Sequence, residues 1–436
     1  VPECLVPVMA YPGPLPPTLI FMKPFSLFPK QLCFVITTFS WIAVPSVAAE
    51  PSLYVSYRSI PLRVEKHNPD LRAARLHIDE AAGRNVQSGR LSNPVIGAQA
   101  GSQNGFRERS LTLGLTQAFP LTDRLRLEKK VTRQDLEVAR VEVADVKRRL
   151  IGNARQALIR LLAVREQLAL RRDQITLAET LEKSLAEAAA KGEVSALDVG
   201  LVKLEVMQLQ TEVRQLEARL KGINGELKPL LGLPVEKPVN VGDRFKKLGG
   251  MDVAEVNVLA RADLRAARLR IGEAQAQADL ERAKKYSDLQ VRVFAGMGRE
   301  EDEPVGFENE AIAGVAFSLP LPFWNKNEGN IQEAEARITR RKLELQALTR
   351  KARHEVKASS DELKEWLALV NQVDRELLPA AQKQTNLADQ AYREGLSDIQ
   401  TVLRSREKLL QLRQTRIDAL SHFYQARARY ESALGY

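Results

Sequence analysis

The sequence predicts a mainly α-helical chain with a small membrane β part, built as two tandem repeats of helix, β-hairpin and long coiled-coil helical hairpin. Three observations predict it. A twelve-residue segment recurs, two pairs of short alternating apolar segments follow the two copies, and long runs after each pair carry apolar residues seven apart.

The duplication organises the rest. Asp70-Leu-Arg-Ala-Ala-Arg-Leu-His-Ile-Asp-Glu-Ala81 returns as Asp263-Leu-Arg-Ala-Ala-Arg-Leu-Arg-Ile-Gly-Glu-Ala274, with ten identities in twelve positions. The same series of elements follows each copy, as tandem repetition requires. Each repeat opens with a helix, over about 68–90 and about 258–286. In the first, Asn68 is a ready cap and Pro69 sits at the first helical position, where a missing N–H does no harm.

The alternating segments follow. In the first repeat Leu111, Leu113, Leu115 and Phe119 alternate with Thr112, Gly114, Thr116 and Ala118; in the second, Leu289 to Met297 and Ala313 to Leu319 do the same. A period of two puts one apolar face on a strand. About ten residues per strand also suits a membrane barrel, although a small soluble sheet fits the pattern equally well. Polar Ser102–Arg109 and Arg299–Asn309 are expected as loops between paired strands. Four strands cannot close a barrel in lipid, because open edges leave backbone groups unpaired. A membrane sheet of this size has to be shared among subunits.

Residues about 125–190 and about 327–393 each read as one unbroken helix, about 100 Å long at 1.5 Å per residue. Ala154, Leu161, Leu168 and Ile175 form a seven-residue stripe on the first. Ile331, Ile338, Leu345 and Ala352, then Val356, Leu363, Val370 and Leu377, do so on the second. Shorter returning helices carry Val199, Val206, Val213, Leu220, Leu227 and Leu403, Leu410, Ile417, Tyr424. Such spacing predicts left-handed coiled-coil packing. The hairpin tips are Gly192 to Ser195 and Gly395 to Ser397, with glycine ending one helix and Ser or Asp starting the next.

Domain boundaries follow: residues 1–49 as a signal peptide with a possible mis-assigned N-terminal extension, 50–231 as the first repeat, 232–250 as a Pro/Gly linker and 251–436 as the second repeat. Lys23 and Lys30 precede an apolar run from Leu32 to Val44, and Val47-Ala48-Ala49 offers small residues for cleavage. Thirteen apolar residues fall short of the roughly 20 a membrane-spanning helix needs. Both cysteines, Cys4 and Cys33, lie in this stretch, so no disulfide or thiolate chemistry is expected downstream. The net charge of +10 is spread over helices rich in both signs, which argues against a nucleic-acid partner.

No catalytic, cofactor-binding or metal site is expected. His67, His77, His354 and His422 sit on different elements without metal-ligand spacing, and no glycine-rich loop follows a strand. Phe119, Phe323 and Trp324 cluster at strand ends, either as an interfacial aromatic belt or as packing of the strand-to-helix junction.

Asn68-Pro-Asp-Leu-Arg-Ala-Ala-Arg, Leu91-Ser-Asn-Pro-Val-Ile-Gly, Phe119-Pro-Leu, Leu319-Pro-Leu-Pro-Phe-Trp-Asn-Lys-Asn-Glu-Gly-Asn-Ile-Gln-Glu-Ala334 and the two tips, in this order, carry a resemblance. The chain resembles the TolC-like outer-membrane efflux proteins, and among them the CzcC type associated with heavy-metal export. The resemblance implies a homotrimer in the outer membrane of a Gram-negative cell, in contact with outer-membrane lipid. Its twelve-stranded β-barrel would continue into an α-helical tunnel that meets a periplasmic adaptor (membrane fusion protein) and an inner-membrane pump of the resistance-nodulation-division type. It further implies a passive efflux duct and not an enzyme, with adaptor docking at Gly192, Ser195, Gly395 and Ser397. Asp198, Asp398, Thr401 and Arg404 become the candidate periplasmic gate, Thr401 and Arg404 standing where the drug exporters carry pore-facing aspartates. Helix capping is an equally good reading of Asp198 and Asp398. Export of drugs or other small molecules, and a periplasmic coiled-coil adaptor or scaffold, stand as alternatives.

Overall fold

The structure is a computed structural model that describes residues 53–435, apart from 104–106, 243, 246–257 and 303. The expected signal peptide lies outside the described residues. The first repeat comprises β1 (Leu53–Val55), α1 (Ile60–His67), α2 (Pro69–Gln87), β2 (Val95–Gln103), β3 (Glu108–Phe119), α3 (Arg124–Ala190) and α4 (Ala196–Leu230). The second comprises β4 (Val239–Val241), α5 (Ala262–Ala283), β5 (Leu289–Asp302), β6 (Gly306–Ser318), α6 (Glu328–Gln372), α7 (Leu378–Arg393) and α8 (Ile399–Leu434). β4 falls inside the stretch read as a linker and pairs in parallel with β1, so this connection is part of the folded unit.

The heptad stripes become the helical core. Ala154, Leu161 and Leu168 of α3 and Leu227 of α4 are buried with Val55, Ile60, Val64 and Leu71, beneath the β1–β4 ribbon. α3 does more than pair with α4: it also packs against α2, α5 and α8, which joins the repeats along its length.

The second long run is not one helix. Residues Val373–Leu377 form a π-helical turn between α6 and α7. Pro379 lies two residues beyond, and proline supplies no N–H while its ring crowds the carbonyl four residues back, so the ladder widens there. The extra residue rotates the apolar stripe. Leu377, expected on the heptad seam, is 37% exposed, and Thr385 and Ala388 are buried instead.

The strands outrun their apolar residues. β5 continues to Asp302 and β6 begins at Gly306, so most of the segment expected as the second loop is paired hairpin. Backbone pairing needs no apolar side chain, and an Arg107–Glu301 ion pair at 2.5 Å bridges the charged part of the sheet. All four strands are antiparallel in the order β2-β3-β5-β6, and the β3–β5 pairing joins the repeats.

One buried clasp recurs in both repeats. Asn68, fully buried, accepts from the Leu71 N–H at the start of α2 and donates to the Leu230 carbonyl at the end of α4, both at 2.9 Å. Arg261 holds the equivalent position before α5. Its guanidinium donates to the Ala433 carbonyl at the end of α8 at 3.2 Å, and pairs with Asp263 at 2.7 Å and Glu355 at 2.9 Å. Burial pushes the Asp263 carboxyl up, but the bonds and charge of Arg261 outweigh it and hold the group below its ordinary range. Each repeat is thus closed by the residue that starts α2 or α5 gripping the repeat's last helix.

Replacing Asn68 by Ala removes a cap and leaves the Leu230 carbonyl unpaired, so the cost should be about 2–4 kcal/mol. Asn68→Asp, which keeps the cap acceptor but loses the donor, should fall between that variant and the native chain. The denaturant midpoint of the purified protein checks both.

Candidate functional site

Two regions carry residues that the fold alone does not require: the sheet and the hairpin tips. In the sheet, register sorts side chains cleanly. Ile96 stands opposite Leu115, Leu115 opposite Val293 and Val293 opposite Val315; Ala98, Leu113, Ala295 and Ala313 form the next row, and Ala100, Leu111, Met297 and Ala311 a third. This face is apolar and uncovered, with Ile96 80%, Met297 71% and Phe317 69% exposed. The opposite face carries Gly97, Gln99, Thr112, Thr116, Gly296 and Ala316. There the Phe294 ring lies over Gly314, where a Cβ would come within 2.7 Å of it, so glycine is required for this approach.

The apolar rows run from Phe119 and Leu289 to Leu111 and Met297, about 27 Å at roughly 3.4 Å per residue. β2 and β6 are the outer strands, each paired within the chain on one side. Below the rows, Phe323 and Trp324 meet edge to face at 6.2 Å, and Trp324 is 97% exposed. Packing of the strand-to-helix junction therefore does not account for Trp324.

At the other end the two tips share one design. Gly192 and Gly395 adopt φ of 76° and 71°, the left-handed region that lets a helix end without a Cβ penalty. In both, the next N–H returns to the carbonyl five residues back: Glu193 to Ala188 at 3.0 Å and Leu396 to Ala391 at 2.8 Å. Ser195 caps α4 by accepting from Leu197, as expected. The equivalent cap of α8 is Asp398, not Ser397: its Oδ1 accepts from the Thr401 N–H at 2.8 Å and hydroxyl at 2.5 Å. These two bonds, foremost that from the hydroxyl, hold the Asp398 carboxyl below its ordinary range. Asp198 lies in the first turn of α4, half-buried, and Arg404 is exposed on α8.

The tips also meet each other. Leu185, Val202, Ala388, Ile399 and Val402 form one buried cluster, drawn from both hairpins. Leu197 and Leu396 are left outside at 71% and 78% exposure, two apolar side chains that periodicity alone did not single out. Glu205, half-buried on α4, is pushed above its ordinary range by burial, with Arg406 opposing and Glu407 adding to the shift. Among the described residues no group of three or more His, Cys, Asp or Glu is placed to hold a metal ion, and no helix is long and apolar enough to cross a membrane.

A model of the family described as outer membrane efflux protein matches residues 258–436. The match covers the second repeat from α5 to its end, and this stretch is similar to that family over its whole length. The cobalt-zinc-cadmium resistance protein CzcC of Cupriavidus metallidurans is 27% identical over 170 residues, and the match spans 39% of the length of that relative. Among solved structures, CusC superposes with a TM-score of 0.73 at 18% identity over 87% of this chain and 92% of its own. The outer membrane protein VceC of Vibrio cholerae gives 0.69 at 19% identity, over 87% and 96%. The fold is that of these two proteins.

Because Glu205 is more acidic in the unfolded chain than in the folded one, its contribution is present below the unfolded pKa and is lost as pH rises through the raised folded value. Glu205→Gln should therefore increase amide protection of residues 199–209 at neutral pH, and the gain should vanish below about pH 4, near the ordinary carboxylate pKa. Hydrogen exchange followed by mass spectrometry reads this directly.

Proposed function

We propose that the protein is the outer-membrane duct of a tripartite export system, acting as a passive channel and not as an enzyme. The uncovered apolar sheet face carries this reading. A face of that size in water would be an aggregation liability, whereas against lipid it is at its lowest free energy. The outer strands β2 and β6 would then pair between copies, since unpaired backbone groups are not tolerated in the bilayer core. Three copies would give twelve strands, with α3, α4, α6, α7 and α8 continuing as the tunnel wall.

The tips would dock a periplasmic adaptor, with an inner-membrane resistance-nodulation-division pump supplying energy. Leu197 and Leu396, exposed beside Gly192, Ser195, Gly395 and Ser397, favour a protein partner there. The gate would be formed by Asp198 and Arg404, with Asp398 and Thr401 committed to each other as cap. Divalent metal cations are the proposed cargo, supported by the likeness to the cobalt-zinc-cadmium resistance protein.

Placing a charge on the apolar face separates lipid contact from a water-facing sheet. Leu113→Arg should cost about 2–4 kcal/mol of insertion and abolish the heat-modifiable trimer in outer-membrane fractions. Thr112→Arg, on the opposite face, should leave the trimer intact; equal behaviour of the two would defeat the lipid-facing assignment. For cargo, deletion of the gene should lower tolerance to cobalt, zinc or cadmium at least several-fold while leaving tolerance to dyes and antibiotics unchanged. The reverse pattern would assign the duct to drugs.

A further inference from the structure

Beyond the apolar rows, the sheet sorts charge by face. Arg109 pairs in register with Arg299, and Arg299 with Asn309, two residues outward from Leu111, Met297 and Ala311 on the same face. Arg107, Glu301 and Phe307 follow on that face, with Glu301 opposite Phe307. Glu108, Glu300, Glu308 and Glu310 alternate onto the other face. Among the described residues, the apolar side of this outer zone therefore carries three guanidinium groups against one carboxylate, while four carboxylates share the other side. Mixed charges placed only for solubility would not segregate in this way.

The arginines are also held in position. Arg299 stacks over the Phe307 ring at 4.6 Å from its centroid, and Arg107 approaches the same ring at 5.5 Å. Glu301 neutralises Arg107, so the charge that an anion would meet on this ring is that of Arg299. A cavity of about 290 Å³ opens beside them, lined by Arg109, Arg299 and Asn309 above and by Leu111, Met297 and Ala311 below. Glu310 also borders it, from the strand position that faces the other way. The cavity is thus apolar on the side toward the bilayer and cationic on the side away from it.

We infer that Arg109, Arg299 and Asn309 form a binding site for the phosphate of an anionic lipid headgroup, in the leaflet at the hairpin end of the sheet. This rests on the proposal that the apolar face contacts lipid. A chain of hydrocarbon lies along the Leu111 and Met297 rows while its phosphate, about 7 Å further out, accepts from the guanidiniums, the geometry in which charge-assisted bonds are strongest. Free phosphate lacks the apolar half of the contact and is a poor fit.

The full-length protein, purified in uncharged detergent, tests the site by native mass spectrometry with dioleoyl phosphatidic acid and with dioleoylglycerol as the phosphate-free control. Native protein should bind phosphatidic acid about tenfold more tightly than dioleoylglycerol, and millimolar inorganic phosphate should not displace it. The Arg109→Gln/Arg299→Gln double variant should lose the preference. Arg109→Lys/Arg299→Lys should retain part of it, and Arg292→Gln on the other face all of it. Retention of the full preference by the double Gln variant, its loss in Arg292→Gln, or displacement by inorganic phosphate would overturn the site. Heat-modifiable migration of each variant as a trimer from the outer-membrane fraction is scored alongside. A native chain absent from that fraction sinks the lipid-facing reading itself, whereas a correctly inserted chain without phosphate preference sinks the headgroup site alone.

Discussion

A four-stranded sheet with one face apolar and uncovered is the constraint on which the rest of the structure depends. Among the described residues nothing covers Ile96, Met297 or Phe317, yet the four strands of this sheet are long, regular and in register with their neighbours. Such a surface is stable only against hydrocarbon or another protein, and backbone groups at its outer strands need partners in any medium without water. β3 and β5 belong to different repeats, so the centre of the sheet exists only if the two repeats are already aligned.

That alignment is set by α3 and by the clasps. α3 touches elements of both repeats, while Asn68 and Arg261 tie the start of each repeat to its end. The two clasps reach the same kind of target, a carbonyl at the last turn of a helix, with different chemistry. Asn68 needs only two neutral hydrogen bonds. Arg261 brings a full charge into a site where it is 4% exposed, and such a charge is tolerable only when paired. Asp263 and Glu355 supply the pairing, and Glu355 comes from α6, so the second clasp also anchors the long helix. Duplication preserved the geometry while the residues diverged.

Much of this was legible in the amino-acid sequence because periodicity reports faces. The seven-residue stripes marked Ala154, Leu161, Leu168 and Leu227, all buried, and the alternation in β3 and β5 marked one apolar face. What escaped has physical causes. Pairing of Arg299 to Asp302 with Gly306 to Asn309 is made by backbone, to which hydropathy is blind. The π turn depends on Pro379 acting on carbonyls upstream, not on the pattern of side chains. The clasps were hidden because Asn68 and Arg261 share no chemistry, and their partners are main-chain atoms more than 150 residues away. β4 lay in a stretch whose prolines and glycines mask a three-residue strand. Of the tip residues, Asp398 was readable as a cap and caps α8, whereas Asp198, equally readable as one, lies inside the first turn of α4 and leaves the capping to Ser195.

The capping of α8 also bears on how a closed end could be made. An exposed carboxylate that accepts from both the N–H and the hydroxyl of Thr401 has spent its best acceptor atom on its own helix. Its remaining charge sits at the positive end of the α8 dipole, where it is partly neutralised. Asp198 occupies the equivalent first turn of α4, but there Ser195 does the capping and leaves the Asp198 side chain uncommitted to the turn. The two tips therefore present unlike charge: an acid on α4, and on α8 a capped acid followed by Arg404. Attraction between opposite charges on neighbouring tips would hold such an end shut without a ring of like carboxylates. A closure made this way weakens with salt and does not require a cation to bridge it.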